Sequence, residues 1–455
     1  MRQITILLLC FWANFAIGQQ KQSLTLDQAI DYAKQHNTEI QNAKLAIDES
    51  RQEVKSVVAS GLPQVSVNGN FTHNVQIAAM QMPDFLSPAI YGVLIQEGLL
   101  SADKFRAGQP QTVAFGAPSS LTGSVRVNQL VFDGTYLLGL KAAKQYVRVS
   151  ELMAESSEIA AVENVQKAFY AALMAQENAK LLNSSLVNLD KTLQETTELY
   201  NTGFAEKLDV DRLVFAKSNL QTQINNLTTQ QDILVYVLKV AMGMPIETEL
   251  ELLGDLISPV VEIGNFNSNV ANRIETKIMA QQLVLDSMQI KRYKVGYYPS
   301  LTFNASHQQN SFANEAAFKG LGSSWNPGTM YGFNLNIPVF DGFYKKAKME
   351  QAKIQLMQDQ NSFQNVQNQL KFQVEQAKMN LEMKSLNLDN QKKNKDLAAS
   401  IYHTIKIKFD EGIGSSFELI SAENDKIRAD MAYTQALYEL VVAKIELQTA
   451  LGINK

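Results

Sequence analysis

The chain has 455 residues, with 41 lysines and arginines against 45 aspartates and glutamates. That mild acidity argues against nucleic acid as a partner. Its one cysteine, Cys10, sits at the very start, so the rest of the chain forms no disulfide and offers no thiolate to a metal.

Met1-Arg2-Gln3 is a short cationic start, Ile4 to Ile17 is mostly apolar, and Ala16-Ile17-Gly18 places small residues where a signal peptidase reads. This pattern predicts a secretory signal peptide over residues 1–18. The mature chain then begins at or near Gln19 without a lipid, because Cys10 falls in the removed segment. No later stretch approaches about 18 consecutive apolar residues, so any passage through a bilayer must use strands.

The remainder reads as one unit written twice. Val131-Phe132-Asp133-Gly134 recurs 208 residues later as Val339-Phe340-Asp341-Gly342. Gly203 recurs as Gly412, and Ala241-Met242-Gly243 as Ala450-Leu451-Gly452, each 209 residues on. A constant register of this kind marks a tandem structural duplication. The first repeat covers 19–243 and the second 270–455, with a Pro- and Gly-bearing linker over 244–269 between them.

In chain order, the first repeat predicts a helix from about Thr38 to Gly61 and a strand over about 63–74, where Val65, Val67 and Phe71 alternate with polar residues. Pro63 pairs with Pro299 at a spacing of 236, which leaves 28 extra residues before Val131. They are assigned to a long loop from Val75 to Ser120, rich in proline and glycine and predicted to be extracellular. A second strand follows over about 120–132, then a helical pattern from Tyr136 to Tyr200. At roughly 1.5 Å per residue that helix is on the order of 95 Å long. A turn at Gly203 leads to a return helix from Leu208 to Met242.

The second repeat predicts a helix over Val270 to Val295, strands over about 299–308 and 329–340, and a shorter loop from Gln308 to Gly328. A long helix from Tyr344 to Phe409, a turn at Gly412 and a return helix from Phe417 to Leu451 complete it. The apolar stripe of the second long helix is thin, with Leu370, Val374 and Leu381 at coiled-coil spacing among Asn, Gln and Lys. In each repeat the two shorter helices together match the length of the long one, so they are expected to stack end to end along it.

Each strand is about long enough to cross a bilayer when tilted. Four strands cannot close a barrel, and open edges are not tolerated in lipid. The chain is therefore expected to oligomerise, with the apolar strand face toward lipid and the Ser/Thr/Asn/Arg face toward a polar lumen. The fold class expected is mainly α with a membrane β-barrel.

The doubled helix–strand–strand–long helix–turn–helix unit resembles the TolC-type outer-membrane efflux family. Pro338-Val339-Phe340-Asp341-Gly342 leading into a long helix, and the glycine turns at Gly203 and Gly412, carry the resemblance. It covers essentially the whole mature chain. It implies a homotrimeric α-barrel/β-barrel tunnel in the outer membrane, surrounded by outer-membrane lipid, with its helices extending into the periplasm. It also implies a periplasmic adaptor protein and an inner-membrane pump, proton-driven or of the ABC type, as partners. Two other classes share part of the pattern. A soluble periplasmic coiled-coil adaptor would lack four membrane-length strands, and a passive porin would not need the long helices.

By the same resemblance, the tips Gly203-Phe204 and Gly412-Ile413 dock the adaptor; the alternative is an ordinary helix-breaking turn. The family places gating carboxylates six and nine residues after the second-copy glycine. Those positions hold Glu418 and Ser421 here, and Asp209 and Arg212 in the first copy. Glu418 and Asp209 are thus the candidate gate, against the plainer role of acidic residues at helix starts. His36, His73, His307 and His403 lack ligand spacing, and no phosphate loop or catalytic constellation is present. Neither an enzyme nor a metal or cofactor site is expected.

Overall fold

The computed structural model describes residues 22–106, 108–256, 270–313, 322 and 324–453. The expected signal peptide lies outside them, as do residues 257–269 of the linker. Strand β1 (Gln22–Leu24) leads into helix α1 (Leu26–His36), neither of which was expected. A capping box opens α1: the Thr25 hydroxyl accepts from the Gln28 amide at 3.4 Å, and the Gln28 side chain accepts from the Thr25 amide at 2.9 Å. Asn37 then separates α1 from α2 (Thr38–Ser60), its side-chain oxygen accepting from the amides of Glu39 and Ile40 at 2.8 and 3.1 Å.

After β2 (Gln64–His73) the expected long loop proves to be built. It holds β3 (Ala79–Met82), α3 (Leu86–Gln96), a 3-10 turn (Ala102–Lys104) and β4 (Gln111–Ala114), with β3 and β4 paired antiparallel. Pro88, which reads as a loop residue, stands in the first turn of α3, where a missing N–H leaves nothing unpaired. The Asp84 carboxylate accepts from the Leu86 and Ser87 amides and starts the helix. The strands β3 and β4 span four residues each, too few for alternation to show.

Next come β5 (Ser119–Phe132), α4 (Gly134–Asn201), α5 (Lys207–Met242), β6 (Leu250–Leu252), α6 (Ile274–Val295), β7 (Ser300–Ala313), β8 (Asn326–Asn336), α7 (Tyr344–Asp410) and α8 (Ser416–Leu451). Strand β7 continues to Ala313, past the 308 expected. His307-Gln308-Gln309-Asn310 is polar on both faces and hides the alternation that pairing with β5 maintains. Strand β8 begins at Asn326 and stops at Asn336 rather than 340. It is an edge strand, so Pro327 is tolerated within it.

Two compact units emerge, and the helices α2, α4, α6 and α7 each contribute residues to both. The first comprises the described residues up to 52, 142–289 and from 351. A core cluster forms on α4, where Val165, Phe169, Ala172 and Leu173 meet Ile30 and Ala33 of α1 and Leu238 and Met242 of α5. Leu24 and Leu252, from the parallel pair β1–β6, close that cluster. Gly243 caps α5 with φ +73°, and a β-carbon there would collide with the His36 carbonyl. Farther along, Leu182 and Leu189 of α4 pack with Leu213, Leu220 and Ile224 of α5 and Ile427 of α8. In the second repeat Leu381 of α7 meets Leu440, Ala443 and Leu447 of α8.

The second unit comprises 53–141 and 290–350. Its antiparallel sheet has the order β2-β5-β7-β8, so the two repeats join at the central β5–β7 pair. The register puts Val65 opposite Val127, Val127 opposite Ala305, and Ala305 opposite Tyr331. Because strand side chains alternate, most apolar residues of the four strands share one face and most Ser/Thr/Asn residues share the other, with Leu130, Phe312 and Met330 as exceptions on the polar face.

Candidate functional site

The sheet is the first site. On its apolar face Val65, Val67, Phe333 and Leu335 are exposed, and Tyr331 is 78 % exposed. The opposite face carries Asn68, Asn70, Thr122, Ser124, Asn304 and Ser306, and Thr122 donates across to Asn310 at 2.9 Å. Arg126 is the only Lys, Arg, Asp or Glu in the four strands. A sheet with one watered face usually carries several such charges; this one pairs a polar face holding a single charge, Arg126, with a bare apolar one. Strands β2 and β8 are its open edges, with backbone donors and acceptors that nothing within the sheet pairs.

The helix-hairpin tips are the second site. Gly203 and Gly412 adopt φ of +85° and +75°, the left-handed region that ends a helix without a side-chain penalty. Beside them Phe204 is 83 % and Ile413 78 % exposed. Neither glycine has an atom within 4 Å of where a β-carbon would stand, so the turn's own geometry demands them.

The two candidate gate residues sit at helix starts that meet. Ser416, fully buried, donates to the Asp209 carboxylate at 2.5 Å, which ties α8 to α5. Arg212 lies over the Phe417 ring at 5.9 Å, a second tie between the same helices. Glu418 completes a capping box with Ser415: its amide donates to the Ser415 hydroxyl at 3.2 Å, and its carboxylate accepts from the Ser415 amide at 3.3 Å. Its side chain remains exposed.

The seam between α7 and α8 holds polar groups the sequence did not single out. Glu423 is 8 % exposed, and neither carboxylate oxygen has a well-formed hydrogen bond. The Tyr402 hydroxyl stands beside it; burial first, and then the Glu423 charge, push that phenol well above its usual range. Asp430, equally buried, is paired with Lys426 at 3.3 Å and Lys395 at 3.8 Å. An acidic residue inside an apolar spacing was the available signal, but spacing alone does not separate a buried carboxylate from a solvated one.

Three of the four histidines have local partners. His73 bonds Ser119 at 3.0 Å, His307 bonds Thr329 at 2.8 Å, and His36 stacks on Tyr32. Among the described residues no group of three or more His, Cys, Asp or Glu is placed to hold a metal ion. No described helix is long and apolar enough to cross a membrane.

Comparison with known proteins matches residues 29–244 and 271–453 to the family model of outer membrane efflux proteins. The chain is 21 % identical over 446 residues to the probable outer membrane lipoprotein SilC of Salmonella typhimurium, covering 97 % of this chain and 87 % of that protein. Among solved structures, the outer-membrane channel OprN superposes with a TM-score of 0.68 at 16 % identity, over 94 % of this chain and 90 % of that one. The Campylobacter jejuni outer membrane channel CmeC gives a TM-score of 0.68 at 14 % identity, over 94 % and 85 %.

Proposed function

The chain belongs to the outer membrane efflux protein family, whose members are outer-membrane channels, and we propose that three copies assemble into one continuous export conduit. The observation that carries this reading is the four-stranded sheet with two open edges and oppositely natured faces. Lipid accepts no unpaired strand edge, and single-chain barrels start at about eight strands. Three copies joined edge to edge make a twelve-stranded barrel, with the Ser/Thr/Asn face lining a wet lumen. Exposed apolar residues on α7 supply a second interchain surface.

The conduit does no chemistry; a periplasmic adaptor and an inner-membrane pump drive transport through it. The tips Gly203-Phe204 and Gly412-Ile413 dock the adaptor, since each presents an apolar side chain on a sharp turn. Glu418 and Asp209 lie next to those tips and contribute carboxylates to the mouth. The capping bond to Ser415 leaves Glu418 oxygen lone pairs free, whereas Asp209 is engaged by Ser416. Residues 1–18 are removed on export, and the linker 244–269 joins the repeats.

Native mass measurement of the detergent-extracted protein tests the assembly. A trimer is expected; a stable monomer would overturn it. Fractionation separates the alternatives, because an adaptor leaves the membrane without detergent and a barrel does not.

A further inference from the structure

The strand–helix junction of the second repeat carries a basic and aromatic surface that the first repeat lacks. Lys291, Arg292 and Lys294 of α6 and Lys346 of α7 are exposed, and among the described residues no carboxylate pairs with them. The two helix ends touch, since Lys345 lies over the Tyr297 ring at 5.1 Å. Lys345 is itself occupied, bonded to Asp341 at 3.2 Å. At the repeat spacings of 236 and 208, the positions of the four free cations are filled in the first copy by Lys55, Ser56, Val58 and Leu138. Four charges thus stand where the first copy has one.

Aromatic residues separate these cations from the strands. Ser300 of β7 is paired with Asn336 of β8, so the segments flanking that pair leave the sheet at one end. On one side lie the exposed Tyr297 and Tyr298; on the other lie Val339, 90 % exposed, then Phe340, Phe343 and Tyr344. Phe343 is, among the described residues, the single non-glycine with positive φ, at +64°. A bulky ring held in the left-handed region and left 66 % exposed gains nothing from the chain's own core. The first-copy equivalent, Thr135, instead bonds Asp133 through its amide and hydroxyl.

We infer that this second-repeat junction binds the anionic headgroups of phospholipids in the leaflet at that end of the barrel. The sequence of surfaces, bare apolar strand, then aromatic rings, then unpaired cations, is the order hydrocarbon, interface and headgroup phosphate present. The inference rests on the sheet being embedded in membrane. It concerns headgroup selectivity, which can be measured apart from insertion.

The experiment titrates phosphatidylglycerol or phosphatidylcholine into the detergent-extracted assembly and counts retained lipids by native mass spectrometry. Wild type is expected to retain phosphatidylglycerol preferentially. The combined variant Lys291→Gln, Arg292→Gln, Lys294→Gln and Lys346→Gln is expected to lose that preference by about tenfold or more. A second variant that exchanges Lys for Arg and Arg for Lys at the four positions keeps it, and Lys55→Gln leaves it unchanged. Equal retention of both lipids by wild type, or unchanged selectivity in the Gln variant, overturns the inference. Dissociation of the Gln variant into monomers also overturns it, by assigning the face to contacts between copies. Failure of membrane insertion would show separately, as release of the protein without detergent.

Discussion

The long helices of the two repeats have nearly the same length, 68 residues in α4 and 67 in α7, yet α4 buries eighteen residues and α7 four. Around α4 the chain adds α1, β1 and β6, and these enclose Phe169 and its neighbours. No counterpart of that layer is described around α7. Six of its exposed apolar residues, Phe372, Met379, Met383, Leu386, Leu397 and Ile401, follow spacings of seven, four, three, eleven and four. That is a coiled-coil seam with no partner among the described residues. The two copies therefore differ in burial: the first long helix is enclosed by the chain's own layer, and the second leaves an apolar face exposed.

The sharpest way to break that comparison is to truncate one aromatic in each helix. Phe169→Ala should cost about 3–5 kcal/mol of protomer stability, since the side chain is 1 % exposed in a packed core. Phe372→Ala should leave the protomer's melting temperature nearly unchanged and instead shift the assembly toward monomers on dilution. An assembly indifferent to Phe372 would show that the seam faces solvent.

The helix ends give a smaller contrast. Gly243→Ala meets both the left-handed backbone and the His36 carbonyl, whereas Gly452→Ala meets the same left-handed backbone but, beyond it, only the flexible Arg273 side chain. The first should cost about 2–3 kcal/mol and the second about 1 kcal/mol, measured by denaturant unfolding. Equal losses would mean that the joint between α1 and α5 yields.

The long helices start on aspartates that respond differently to solvent. Burial alone would raise the Asp133 pKa, but hydrogen bonds from Thr135 and Tyr136 outweigh it and hold the carboxyl below its ordinary 3.8. Asp341 is lowered by the amide and ammonium of Lys345, again against desolvation. Both groups therefore stabilise the fold above pH 3.8, and the contribution is lost as pH falls through the lowered native values. Asp133→Ala should remove about 1 kcal/mol at neutral pH and flatten the acid limb of the stability curve. Raising salt should weaken the Asp341 contribution more than that of Asp133, because only Asp341 has a cationic partner.

The smallest effect on stability, about 0.5 kcal/mol or less, is expected at the start of α8, from Glu418→Gln. Its signature is functional: in the proposed conduit Glu418 contributes to a ring of carboxylates that focuses field at the opening, so cation selectivity in a planar bilayer should fall. Asp209→Asn should change selectivity less and loosen α5 from α8, since Ser416 already uses that carboxylate. Unchanged selectivity in an assembled Gln variant would leave Glu418 as a helix cap alone.

Most of the architecture was legible because its signals are local. Period-two alternation marked β2 and β5, apolar periodicity marked the long helices, and glycine marked the two tips. The elements missed failed for identifiable reasons. β1 and β6 are three residues each and exist by pairing with one another across more than two hundred positions. Helix α3 was hidden by Pro88, and the end of β7 by a run polar on both faces. The tip turns were placed by sequence, but the bonds between the starts of α5 and α8 were not, because Asp209 and Ser416 belong to different repeats.

The sequence by itself determined the duplication, the strand faces and the tip turns, since repeats, alternation and positive-φ glycines depend on residues near one another in the chain. Only tertiary structure decided which long helix is enclosed, which carboxylates are engaged, and that the repeats meet at β5 and β7. The physical reason is that burial and pairing depend on distant chain segments. Two helices with the same periodicity differ in role according to what the fold lays against them.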